Sequence, residues 1–113
     1  MALAMFAGNP VKDFAAARSW WEQLLGEVSF VPHDREAVWE LAENRSVYLV
    51  EDPDRAGSAI ATVFLDDFEG KLEEIRRRGL EPDEVETYGN GVRKAIFRDP
   101  EGNEIGFGGA PAG

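Results

Sequence analysis

The second half of this sequence repeats the plan of its first half. An apolar, strand-like run at residues 3–8 leads through Asp13-Phe14 into a helical stripe that ends at Leu24-Leu25-Gly26. A β-rich run at 58–65 leads through Asp67-Phe68 into a second stripe that ends at Arg77-Arg78-Gly79. In the first helix Asp13 stands at the N-cap, and Phe14, Ala17, Trp21 and Leu25 recur at near-helical spacing, with Trp20 and Leu24 widening the face. In the second, Asp66-Asp67 supplies the cap, Phe68, Leu72 and Ile75 mark the apolar face, and Glu73 with Arg77 and Glu74 with Arg78 are i,i+4 pairs. Three short strands follow each helix, at 28–31, 37–42 and 46–50 and again at 85–88, 92–98 and 104–107. Asn9-Pro10 is expected to end the first strand, because proline offers no amide hydrogen.

The pattern predicts an α+β fold of two βαβββ modules in one domain over residues 1–113. Module 1 spans about 1–51, a polar linker 52–57, module 2 about 58–109, and a Gly/Ala/Pro tail that frays 110–113. A four-stranded module cannot cover both faces of its own sheet. The modules must therefore pair within one chain, or with those of a second copy by exchange.

With 12 basic and 22 acidic residues the chain carries a formal charge of -10, which opposes a phosphate backbone or an anionic bilayer, so nucleic acid and membrane are not expected partners. The same acidity serves solubility or attracts a cationic small molecule. The absence of cysteine excludes disulfides, thiolate metal sites and a cysteine nucleophile. The amino terminus has no basic segment and meets Asn9-Pro10 before a long apolar run develops, which argues against a signal peptide or a membrane span and makes the cytoplasm the expected location.

Three motifs in this order carry a family resemblance: Val11-Lys12-Asp13-Phe14 leading through Trp20-Trp21 to Gly26; Leu65-Asp66-Asp67-Phe68 leading to Gly79; and Phe97-Arg98-Asp99-Pro100-Glu101-Gly102-Asn103 before a last strand. Over nearly its whole length the chain resembles the vicinal oxygen chelate superfamily of glyoxalases, bleomycin resistance proteins and extradiol dioxygenases. The resemblance implies a glyoxalase-like fold, in which an eight-stranded, incompletely closed, cup-shaped mixed sheet carries its helices on the outside. It also implies homodimerisation, and in the metal-dependent members one ligand from each of four strands. Transferred by pattern, those positions are Phe6, Tyr48, Ile60 and Gly106. None except the tyrosine has a donor atom, and one tyrosine does not hold a catalytic ion, so no metal, no cofactor and no catalytic residue is expected here.

Strand alternation places Phe6 on one face with Ala4 and Gly8, Ile60 with Thr62 and Phe64, and Tyr48 with Ser46 and Val50. With Trp39 as a stacking surface, Phe6, Tyr48, Ile60, Thr62 and Phe64 are the expected lining of a cup for an apolar or aromatic, conceivably cationic, small molecule. The same lining also suits a core filled by its own side chains. Which of Trp39 and Glu40 faces the cup is open at this level, since adjacent strand residues point to opposite faces. The favoured expectation is a metal-free binder similar to bleomycin resistance proteins. The alternatives are a metal-dependent lyase, isomerase or dioxygenase with ligands displaced to Glu51, Glu40, Glu104 or His33, and a dimerisation module without a ligand.

Overall fold

The structure, a computed structural model, describes residues 3–111, so Ala112 and Gly113 of the tail expected to fray lie outside the described residues. Module 1 runs β1 (Met5–Val11), α1 (Phe14–Leu25), β2 (Phe30–His33), β3 (Glu36–Ala42) and β4 (Arg45–Glu51). Module 2 runs β5 (Ile60–Leu65), α2 (Phe68–Arg77), β6 (Glu84–Thr87), β7 (Arg93–Arg98) and β8 (Glu104–Gly109). Each module forms its own four-stranded mixed sheet, ordered β1-β4-β3-β2 and β5-β8-β7-β6. In both, the first strand runs parallel to the last and the other pairs are antiparallel. The duplication extends to register: Phe6 stands beside Ser46 and Gly8 beside Tyr48 in one sheet, and Ile60 beside Glu104 and Thr62 beside Gly106 in the other.

Both helices begin as their caps require. The Asp13 carboxylate accepts from the Ala16 amide at 3.1 Å, and that of Asp67 from the Gly70 amide at 2.9 Å. β1 is longer than expected, for it continues through Asn9-Pro10 to Val11. It is an edge strand, and the Pro10 carbonyl turns away from β4 to accept from Asn103 Nδ2 and the Gly57 amide. The missing Pro10 amide hydrogen therefore faces away from the ladder and breaks no bond in it. β2 lies later than expected because Val28 packs against the core, while Ser29 joins β3 through its amide to Val38 and its hydroxyl from the Glu40 amide.

One continuous core holds both modules together. It takes Val11, Ala37, Trp39, Val47 and Leu49 from the first sheet, Ala95, Phe97, Ile105 and Phe107 from the second, and Ala17, Trp21, Leu24, Phe68, Leu72 and Ile75 from the helices. The turn Asp99-Pro100-Glu101-Gly102-Asn103 fastens the modules. Buried Asp99 accepts from Trp21 Nε1 (3.0 Å) and Asn103 Nδ2 (2.9 Å) with one oxygen, and from the amides of Glu101 and Asn103 with the other. Asn103 is fully buried, donates to the Pro10 carbonyl at 2.8 Å and accepts from the Ala59 amide at 3.0 Å. The Glu101 carboxylate accepts from the amides of Lys12 and Asp13, just ahead of α1, where the helix dipole favours negative charge. At the far ends of the helices Arg78 donates to the carbonyls of Gln23 and Leu24, and Gln23 Nε2 donates to the Arg78 carbonyl. Arg78 is thus a clasp between helices, whereas Arg76 and Arg77 stay in exposed pairs with Glu81 and Glu73.

Candidate functional site

The register decides which side chains can meet a ligand. On the first sheet Trp39 pairs with Val47 and Glu40 with Ser46, so Trp39 shares the core face and Glu40 the outer one. Trp39 is 1% exposed, stacks obliquely 6.2 Å from Trp21 and donates from Nε1 to the Gly26 carbonyl at 3.0 Å. It belongs to the core and does not line a cup, because the strand pairing turns it under α1.

The other expected lining residues divide between two concavities. The larger is a cleft of about 460 Å³ where β1 and the β3–β4 end of module 1 approach β5. Met5, Ala7, Leu41 and Val47 form one wall, and Ile60, Thr62 and Phe64 the other with their neighbours Ala61, Val63 and Leu65; Arg45 and Ser46 add polar atoms. Tyr48 lies in a second cleft of about 280 Å³ with Gly8, Pro10, Val50 and the 52–59 connection. Phe6 is exposed on the outer face of β1 and lines neither. The acidic residues that suggested a cationic ligand are elsewhere, since among the described residues no Asp or Glu lines the larger cleft. Alternation identified Ile60, Thr62 and Phe64, but Met5, Ala7, Leu41 and Val47 were missed. Their faces become a wall only once β5 has been brought opposite them.

The four positions that the resemblance assigns to metal ligands do not fit an ion. Phe6, Ile60 and Gly106 have no donor side chain, and the space above Gly106 holds Lys94, whose Cε lies 2.5 Å from where a Cβ at 106 would be. Tyr48 lies across Gly8, where an added Cβ would meet its ring and hydroxyl at 2.6 Å. The displaced candidates do not converge. Glu51 pairs with Arg35, Glu104 with Arg98, and His33 with Glu36 at 3.2 Å while its Nδ1 accepts from the Arg35 amide. Among the described residues no three His, Cys, Asp or Glu side chains are grouped to share an ion.

The close seating of Tyr48 on Gly8 carries a prediction. Gly8→Ala forces the ring off the strand, and overpacking of this kind costs about 1–3 kcal/mol. Urea denaturation measures it, and in a Tyr48→Ala background Gly8→Ala is expected to cost less than in the intact protein, as a double-mutant cycle would show. An unchanged midpoint in Gly8→Ala would mean that the tyrosine is free to leave.

Comparison with known proteins agrees with this architecture. A profile of the glyoxalase/bleomycin resistance protein/dioxygenase superfamily matches residues 6–107. The crystal structure of a glyoxalase/bleomycin resistance protein from Catenulispora acidiphila DSM 44928 is 48% identical, covers 97% of this chain and 100% of its own, and superposes with a TM-score of 0.93. A lactoylglutathione lyase from Agrobacterium tumefaciens shares the fold at 16% identity, with a TM-score of 0.71 over 97% of this chain and 95% of its own. A bleomycin-binding protein complexed with bleomycin does so at 16% identity, with a TM-score of 0.72 over 97% of this chain and 99% of its own. No curated protein sequence matches the chain.

Proposed function

The chain belongs to the glyoxalase/bleomycin resistance protein/dioxygenase superfamily, and from that premise we propose that it is a metal-independent small-molecule-binding protein that holds an apolar or aromatic compound in the cleft between β1 and β5. The observation that carries this reading is the cleft itself. It has a volume of about 460 Å³, and ligand pockets run from roughly 300 to 1,000 Å³ with mostly apolar walls and a few polar groups. Its lining includes Phe64 and Ile60 with Ser46 and Thr62, but among the described residues no His, Asp, Glu or Lys that could serve as a general acid or base. Binding without chemistry is what such a lining supports, and the likeness in fold to a bleomycin-binding protein complexed with bleomycin is in keeping with it.

The same proposal includes a homodimer. Phe6, which lines neither cleft, is 54% exposed, and β1 is an open sheet edge. Exposed apolar strands of this kind are normally covered, and a second copy of the chain is the partner the superfamily suggests. Among the described residues no helix is long and apolar enough to cross a membrane.

Titration with a panel of uncharged and charged aromatic compounds, followed by calorimetry, tests the binding reading. At least one compound is expected to bind with a stoichiometry of one per chain and to lose affinity in Phe64→Ala. Elemental analysis of protein purified without chelator is expected to find no stoichiometric transition metal. Zinc, nickel, manganese or iron at one per chain would overturn the metal-independent reading, and sedimentation as a monomer at micromolar concentration would overturn the dimer.

A further inference from the structure

We infer that the cleft selects an organic anion, an apolar or aromatic body bearing a carboxylate, sulfonate or phenolate oxygen that Arg45 meets at the cleft wall. This deepens, and rests on, the reading of the cleft as a ligand site. The sequence as a whole points the other way, with 22 acidic residues and a formal charge of -10. Locally the distribution is reversed. Among the described residues Arg45 is the one charged residue that lines the cleft, and no carboxylate side chain accompanies it there.

Its isolation is unusual in this chain. Of the twelve basic side chains, all but Lys12, Arg45 and Lys94 lie in ion pairs among the described residues. Lys12 is exposed ahead of α1 and Lys94 lies over Gly106 on the outer face, so Arg45 alone joins an unneutralised charge to an apolar cavity. A guanidinium presents a planar fork that matches a carboxylate or sulfonate with two parallel N–H···O bonds. A ligand whose apolar body covers these walls removes water from beside the guanidinium, which strengthens that contact relative to bulk solution. The rest of the acidic surface acts through solvent and is screened beyond roughly 8–10 Å at ordinary salt.

The test uses a pair of fluorescent probes that share one aromatic body: anilinonaphthalene sulfonate and its uncharged parent, phenylnaphthylamine. The intact protein is expected to bind the sulfonate more tightly than the parent. Arg45→Met is expected to weaken the sulfonate about tenfold, the loss of one charge-assisted contact, while the parent dye changes less than about twofold. Arg45→Lys, which keeps the charge without the fork, is expected to fall between. Arg77→Met makes the same change in net charge on the exposed face of α2 and is expected to leave both dyes unaffected. Equal binding of the two dyes by the intact protein would overturn the inference while leaving the cleft a ligand site. So would a loss in Arg45→Met shared by both dyes, or one reproduced by Arg77→Met. Failure of both dyes to bind would overturn the ligand-site reading and this inference with it.

Discussion

Asp99→Asn is expected to lower the free energy of unfolding by about 3–5 kcal/mol, although it changes one heavy atom. The carboxylate accepts four hydrogen bonds, two at each oxygen: Trp21 Nε1 and Asn103 Nδ2 at one, the amides of Glu101 and Asn103 at the other. An amide in its place has one acceptor oxygen, and its nitrogen is a donor. In either orientation two donors face an NH2 group inside a buried network, and neither can turn to water, since Asp99 is 5% exposed, Trp21 fully buried and Asn103 fully buried. Each unsatisfied buried donor costs about 1–3 kcal/mol, and a lost charge raises that figure. Urea titration of the variant measures the loss, and a change below about 1 kcal/mol would show that the network is dispensable. Trp21→Phe removes the indole donor and keeps most of the packing. Its combination with Asp99→Asn is expected to lose less than the two singly, because they break the same bond.

Trp39→Ala is the second large effect, expected at about 3–5 kcal/mol for removing a fully buried aromatic side chain. Its ring packs against Trp21, and its Nε1 closes the carbonyl of Gly26 at the end of α1. Trp39→Phe retains the ring volume in part, loses the hydrogen bond and is expected to cost about 1–2 kcal/mol, which leaves a folded protein for binding measurements. In that variant the affinity for an aromatic ligand is expected to stay within about twofold of the intact protein, since the side chain is buried beneath α1 and lines neither cleft. A tenfold loss of affinity in Trp39→Phe, with stability retained, would return Trp39 to the binding site.

These two residues show where sequence reasoning succeeded and where it stopped. The halves, the helices and their caps were legible because each rests on short-range physics: Asp13 and Asp67 each accept from the amide three residues on, and the helical stripes bury at i, i+3 and i+4. The turn from Asp99 to Asn103 was legible as a turn, but its work is long-range. Asn103 bonds Pro10 and Asp99 bonds Trp21, each across more than 75 positions of sequence. Trp39 and Glu40 alternate in any strand, and only the pairing of Trp39 with Val47 decides which of them meets α1.

The repeat in the sequence therefore determined two βαβββ units and their helix faces, because these follow from residue type and local period, whereas the assignment of Phe6, Tyr48, Ile60 and Gly106 to metal-ligand positions came from the family resemblance. The tertiary structure decided the rest. It keeps the eight strands as two sheets joined through one core and sets β5 opposite β1, so that residues from both modules wall one cleft with Arg45 as its unpaired charge. The physical reason is range: periodicity records what a residue does to its neighbours in the chain, whereas a cavity is made by residues that chain order keeps apart and only packing brings together.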